Sequence, residues 1–111
     1  MTTFSRWDVV AVPFPYVERL RAKRRPALVV SGRRWLDAHN LLWVMMITSA
    51  ANRPWTDDVA IEDLRAAGLP RPSVIRPSKV ATVEATRCEQ IGKVPDGLQR
   101  RIKSVLKLGL A

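Results

Sequence analysis

The run Lys23-Arg24-Arg25 is followed at once by Pro26 and then by the apolar residues Ala27-Leu28-Val29-Val30. Proline fixes its own φ and disfavours helix for the residue before it, so Arg25 is expected in an extended or turn conformation at the mouth of a strand. A loop guanidinium held by rigid backbone on one side keeps its fork of donors accessible. It suits a phosphate, because it offers paired hydrogen bonds and stays charged at any physiological pH. A solvated basic loop would use the same residues, so this segment alone does not decide. Two further segments carry polar groups at strand ends. Thr48-Ser49 closes the apolar run Leu41 to Ile47, and its hydroxyls either serve a site or cap a turn. Leu69 to Val83 interleaves prolines with Arg71, Arg76, Ser78 and Lys79, a pattern that could also do no more than break strands.

Other chemistries find little here. His39 and Cys88 are single and far apart, with no paired spacing of metal ligands. Asp57 and Asp58 are neighbours, but on a strand their side chains would point to opposite faces and could not share an ion. No Gly-rich elbow presents a serine and no Gly-rich loop could cradle a nucleotide's phosphates. His39 therefore reads as a turn residue and Cys88 as a small strand filler. No metal and no cofactor are expected.

The chain that must position these residues has 111 of them, 47% hydrophobic, which predicts one ordinary globular domain spanning 1–111. Its net charge of +9 and pI near 11.1 are not ordinary, and they favour a polyanionic partner, nucleic acid above all. One cysteine excludes an intrachain disulfide. Arg6 and Asp8 interrupt any apolar stretch near the N-terminus, and Leu41 to Ile47 is far shorter than a membrane span. A soluble cytoplasmic protein is expected.

Asp8 to Phe14 is apolar, β-branched and ended by Pro13 and Pro15, and reads as a first strand. Residues 16–25 form a charged loop carrying Arg19, Arg21, Lys23, Arg24 and Arg25. Ala27 to Ser31 is a second strand, and Gly32 with the polar residues after it marks a turn. Leu41 to Ile47 is the most buried strand, since its apolar run is continuous. A polar loop through Asn52, Arg53, Pro54, Trp55 and Thr56 follows. Asp58 to Ile61 is a short strand, and Glu62 to Ala67 makes one helical turn ended by Gly68. Ser73 to Arg76 and Val80 to Glu84 read as two strands around Pro77-Ser78-Lys79, and Cys88 to Lys93 as the last. From Asp96 the period changes: Leu98, Ile102, Val105 and Leu106 share a helical face, with Asp96 as N-cap and Gly109 at the end. Short strands followed by one amphipathic helix describe a mainly β chain folded as a small bent barrel.

In order and spacing these segments resemble the MazF/PemK family, the toxins of bacterial toxin–antitoxin pairs. Asp8-Val9-Val10-Ala11-Val12-Pro13-Phe14 is similar to the family's first strand, Arg24-Arg25-Pro26-Ala27-Leu28-Val29-Val30-Ser31 to its second, and Ile47-Thr48-Ser49 to the end of its third. Leu69-Pro70, Arg76-Pro77-Ser78-Lys79 and Ile91-Gly92-Lys93-Val94 follow in the expected order. One departure stands out. Trp7 occupies the position before the first-strand aspartate where members often carry glycine.

The resemblance implies an SH3-like barrel, a homodimer and a metal-independent endoribonuclease that cuts single-stranded RNA to a 2′,3′-cyclic phosphate and a 5′-hydroxyl. The family's functional arginine and threonine fall on Arg25 and Thr48, and a further basic position on Arg76. The chemistry agrees, because attack of a ribose 2′-hydroxyl on phosphorus builds negative charge that Arg25 and Thr48 could stabilise. An arginine is a poor general base, so Arg25 is assigned to charge stabilisation and leaving-group protonation and no base is named. Arg19, Arg21, Lys23 and Arg24 would bind flanking phosphates, with Ser49, Ser78 and Lys79 completing the RNA surface. Trp55 would stack on a splayed base or simply pack its loop, whereas Trp35 and Trp43 read as structural. The implied partners are single-stranded RNA, a second copy of the chain and a cognate acidic antitoxin; no membrane is expected. Two rivals are a gyrase poison resembling the CcdB family and a non-catalytic nucleic-acid-binding module. The first needs a tryptophan near the end of the C-terminal helix, whereas this chain ends Lys107-Leu108-Gly109-Leu110-Ala111.

Overall fold

The computed structural model describes residues 3–14 and 23–111. Six strands form one antiparallel sheet: β1 (Asp8–Phe14), β2 (Lys23–Val29), β3 (Leu41–Ser49), β4 (Val59–Ile61), β5 (Ser73–Glu84) and β6 (Glu89–Lys93), in the order β4-β5-β3-β2-β1-β6. Among the described residues three α-helices accompany them, α1 (Arg33–His39), the single turn α2 (Leu64–Ala67) and α3 (Asp96–Gly109), with a 3-10 turn at Ala85–Arg87. Among the described residues, no helix is long and apolar enough to cross a membrane.

Strand alternation gives the sheet two apolar faces. Val9, Leu28, Val30, Met45, Ile47 and Ile75 pack beneath α3, whose Ile102 is fully buried and whose Leu98, Val105 and Leu106 flank it. Val10, Val12, Ala27, Val29, Val44 and Met46 form the other face, against Phe4 and Leu36 of α1. The continuous apolar run in β3 follows from this, because a strand covered on both faces has no polar side. The helical face expected from Leu98, Ile102, Val105 and Leu106 is likewise the packed one.

The sheet curls into a half-barrel because α2, which follows edge strand β4, closes on edge strand β6. Two glycines permit the contact. Gly68 caps α2 at φ 72°, and a Cβ there would lie 1.9 Å from the carbonyl oxygen of Ile91. A Cβ on Gly92 would sit 2.2 Å from the carbonyl carbon of Ala67. Because backbone rather than a flexible side chain opposes it, Gly92→Ala should cost about 2 kcal/mol or more in urea unfolding, as overpacking does. Gly97, in the first turn of α3, has open space around its Cβ position. Gly97→Ala should leave stability unchanged or slightly raised, and equal destabilisation by the two variants would refute the closure argument.

Trp7 shows how the departure at the start of β1 is accommodated. Its φ is 81°, the region where glycine is at ease and a bulky side chain is not. The backbone turn is fixed on both sides, with the Trp7 N–H donating to Val29 O at 2.8 Å and Trp7 O accepting from Val94 N–H at 3.1 Å. The indole is buried in the α3-side core beneath the Arg6 guanidinium, 4.6 Å from the ring centroid. Its apolar burial offsets the conformational cost.

Several boundaries differ from those expected. The turn expected after Gly32 is helix α1, held by an Arg33–Asp37 ion pair at 2.8 Å and ended by Asn40 at φ 59°. His39 therefore closes a helix rather than occupying a turn. Lys23, Arg24 and Arg25 begin β2 instead of ending a loop, because β1 pairs with them through Phe14, Pro13 and Val12. The two strands expected around Pro77-Ser78-Lys79 are one, β5: Arg76 pairs with Met46 and Val80 with Met45, so those three residues bulge out of a continuous ladder. The helical turn expected from Glu62 starts at Leu64, with Asp63 as its N-cap accepting from Ala66 N–H at 3.0 Å through its carboxylate. Pro95 takes the N-cap position of α3, with Asp96 in the first turn, and Cys88 precedes β6.

Candidate active site

The β2–β3 register brings the segments that carry Arg25 and Thr48 side by side. β2 and β3 pair Ala27 with Met46, Leu28 with Met45 and Val29 with Val44. Continued by two positions, the same register sets Arg25 opposite Thr48, and cross-strand partners share a face of the sheet. Arg25 is exposed and Thr48 half-buried, at the rim of the Phe4-side core. Strand backbone thus supports both residues.

The hydroxyl of Thr48 has a partner that sequence reasoning passed over. Asn52 Nδ2 donates to Thr48 Oγ1 at 2.6 Å. With the oxygen accepting there, the hydroxyl hydrogen is left to donate elsewhere. Ser49 takes the turn-capping role: its Oγ accepts from Ala51 N–H at 3.1 Å and its carbonyl from Asn52 N–H at 3.0 Å. The strand end is therefore tied to the loop that presents Asn52.

Arg76 is the register partner of Met46, two residues from Thr48 along β3. Its side chain is buried against the 53–58 loop. Nε and one terminal nitrogen donate to the Asp58 carboxylate at 3.1 and 3.0 Å, and that terminal nitrogen also donates to Arg53 O at 3.0 Å. The Trp55 ring covers the guanidinium, with its centroid 4.2 Å away. Asp58 further accepts from Trp55 N–H at 2.9 Å. Hydrogen bonding from Arg76 holds the Asp58 carboxyl below its ordinary value, with help from the Trp55 amide, and outweighs the opposing effect of burial. Arg76 thus positions Trp55 and its loop, and Asp58, expected only as a strand residue, completes the arrangement.

Trp55 keeps an exposed face, and with Arg53, Pro54, Thr56, Asp57 and Ser78 it lines an open cleft of about 510 Å³. Ser78 and Lys79 stand on the β5 bulge, Lys79 exposed. Arg24 is directed away from this group: it reaches Ala11 O and Arg87 O, each at 3.5 Å, and Glu89 at 3.8 Å, on the β1–β6 side of the sheet. Arg19 and Arg21 lie outside the described residues, and Lys23 is described only in its backbone. Cys88 is half-buried, and that burial pushes its thiol upward against the charge of Arg24. This is the reverse of an activated nucleophile.

Comparison with known proteins bears on the family and the fold. Residues 5–110 match the family described as PemK-like, MazF-like toxin of type II toxin–antitoxin systems. No curated protein matches the sequence. Among solved structures, MazE–MazF (Form-II) from Deinococcus radiodurans is similar, with a TM-score of 0.78 at 18% identity, over 100% of this chain and 98% of that one. An endoribonuclease in complex with its cognate antitoxin, from a mycobacterial species, has a TM-score of 0.76 at 16% identity, over 99% and 95%. The Mycobacterium tuberculosis toxin MazF-mt6 has a TM-score of 0.70 at 18% identity, over 89% and 91%. With nearly the whole length matched and the half-barrel shared, the chain belongs to the PemK/MazF family of toxins, whose members are generally endoribonucleases.

Proposed function

We propose that this protein is a toxin endoribonuclease that cuts single-stranded RNA at specific short sequences by attack of a ribose 2′-hydroxyl on the adjacent phosphorus. The products are a 2′,3′-cyclic phosphate and a 5′-hydroxyl. The observation that carries the proposal is the β2–β3 register, which, continued two positions past its last pair Ala27–Met46, sets Arg25 opposite Thr48. Arg25 binds the non-bridging oxygens, where charge builds in the transition state, and protonates the departing 5′-oxygen as the O5′–P bond breaks; solvent takes the 2′-hydroxyl proton and returns one to Arg25. Thr48, its oxygen already accepting from Asn52, donates its hydrogen to the same phosphoryl group. Holding the linkage in line supplies much of the remaining rate. The scheme uses no metal, and among the described residues no three metal-ligating side chains gather. Purified protein should therefore cleave single-stranded RNA in excess chelator, and RNA carrying a 2′-O-methyl at the cut position should resist. Cleavage of the methylated strand would refute the mechanism.

Lys79, Arg19, Arg21 and Lys23 are assigned to flanking phosphates, with Ser49 and Ser78 at the edges of the track and Arg24 reserved for a phosphate further along the RNA, on the β1–β6 side. The acidic antitoxin would place carboxylates on this surface; the related structures include MazE–MazF and endoribonuclease–antitoxin complexes. The cytoplasm, where RNA and antitoxin meet it, is the assigned location.

The protein acts as a homodimer in this proposal. Trp43, Val80, Leu108 and Leu110 are all exposed. Trp43, Val80 and Leu110 line one groove of about 600 Å³ with Trp35 and Leu106. Trp43, which reads from the sequence as structural, is half-exposed and tilted against Trp35 at 5.4 Å. An apolar patch of this kind on a small chain suits a two-fold contact. Sedimentation should show a dimer at micromolar concentration, and Val80→Glu should yield a folded monomer. A wild-type monomer would exclude this interface.

A further inference from the structure

We propose that the cleft beside Trp55 is a base subsite that selects a nucleobase bearing N–H donors on its Watson–Crick edge, guanine above all, and that Asp57 reads it. The inference rests on the RNA-cleaving reading given above and adds a determinant of sequence preference to it.

The chain has six aspartates, and the other five have visible structural work. Asp8 accepts from Ser5 N–H, Asp37 pairs with Arg33, and Asp58 pairs with Arg76. Asp63 caps α2 and Asp96 lies in the first turn of α3, where a negative charge is favoured. Among the described residues Asp57 has no ion pair and no side-chain hydrogen bond, although it lies one residue from Asp58 in a chain of net charge +9. It occupies the third position of a turn closed by Asp58 N–H on Trp55 O at 3.2 Å, with φ 69°. Glycine or asparagine would meet that backbone requirement as well or better. The turn therefore does not explain the carboxylate.

A carboxylate at a site built for RNA repels phosphate, so its presence in the cleft calls for a donor on the ligand. The cleft also contains the half-exposed Trp55 ring and the residues Thr56 and Ser78. Trp55 is a preorganised platform: the fixed Arg76 guanidinium covers one face, and the remaining exposure is open to a stacked base. In single-stranded RNA the Watson–Crick edge is free for recognition. Guanine presents N1–H and N2–H side by side, matching the two carboxylate oxygens. Cytosine and adenine offer one amino donor beside an acceptor nitrogen. Uracil flanks its single N–H with two carbonyls, which a carboxylate repels. The expected order is guanine, then cytosine and adenine, then uracil.

The test uses labelled 2′-deoxy heptamers, which lack the nucleophile and cannot be cut by the proposed route. One is all dU, and the other carries a single central dG. Fluorescence anisotropy should show the dG strand binding about tenfold tighter, the discrimination a good paired contact gives. Asp57→Asn, which tolerates the same φ, should melt like the wild type and bring the two affinities within about threefold. Trp55→Ala should weaken both strands together. Equal binding of the two strands by the wild type, a preference that survives in Asp57→Asn, or no binding of either at low salt would each overturn the subsite. Cleavage of ordinary RNA, followed in parallel, separates the two proposals. RNA cleavage without base preference sinks only the subsite, and base preference without RNA cleavage sinks only the nuclease reading.

Discussion

Arg25→Ala should lower the single-turnover rate of RNA cleavage by a hundredfold or more while leaving the melting temperature within a degree or two of the wild type. Arg25 is exposed and begins a strand, so its truncation opens no cavity. Its loss removes a charge-assisted donor aimed at oxygens that become more negative as the 2′-hydroxyl attacks. Donors of that kind are worth about 3 kcal/mol in the transition state and less in the ground state, so kcat should fall more than KM rises. Arg25→Lys should recover only part of the rate, because an ammonium keeps the charge but not the planar fork. Thr48→Ala should cost less, on the order of tenfold for one hydrogen bond to a charged group. Asn52→Ala should act in the same direction through Thr48, and combining it with Thr48→Ala should add little, since the two residues share one hydrogen bond. Ordinary cleavage by Arg25→Ala would remove this arginine from the mechanism. A rise in KM with kcat unchanged would make it only a phosphate anchor.

The parts of this site that could be read along the chain are those with a local signature. The apolar run that ends before Thr48 marks the end of β3, whereas Pro26 falls inside β2, whose pairing with β1 extends back to Lys23. A local signature also marks β1, a β-branched run ended by Pro13 and Pro15, and the buried face of α3. What could not be read depends on contacts between distant segments. Asp58 and Arg76 are separated by 18 positions, and no spacing rule links an aspartate before one strand to an arginine in another. Arg76 therefore looked like an available cation, whereas its donors lie against Asp58 and Arg53 O. Helix α1 was missed for a different reason. Its seven residues place no side chain fully in the core, so no apolar stripe distinguishes it from a polar turn. The signals that could have found it were the Arg33–Asp37 spacing of four and the asparagine after His39. Asn52 left only a weak signal, a polar side chain four residues after Thr48. The bulge in β5 hid behind Pro77, which interrupts a ladder without ending the strand.

Asp58→Asn should be the most destabilising single change in the site, by about 3 kcal/mol, with a fall in melting temperature on the order of ten degrees. The side chains of Arg76 and Asp58 are only 10% and 9% exposed, so removing the carboxylate charge leaves a buried guanidinium without a counter-ion. The amide can still accept one hydrogen bond but cannot replace the paired contact. The pH dependence follows from the depressed carboxyl. Its ordinary value is 3.8 and its folded value lies below that. The unfolded chain therefore takes up the proton first as pH falls, and this part of the stability is complete above about pH 4 and drains away as the pH drops through the folded value. The gap between wild type and Asp58→Asn should accordingly be constant from neutral pH to about 4 and narrow only below it. Pairing Asp58→Leu with Arg76→Met should return much of the stability, because an apolar pair avoids the desolvation of both charges. It should not return RNA binding, since Trp55 would lose the cation that fixes its ring. A double variant that is stable and binds RNA normally would show that Arg76 only fills space, and an Asp58→Asn protein that melts like the wild type would deny the ion pair any part in holding the loop.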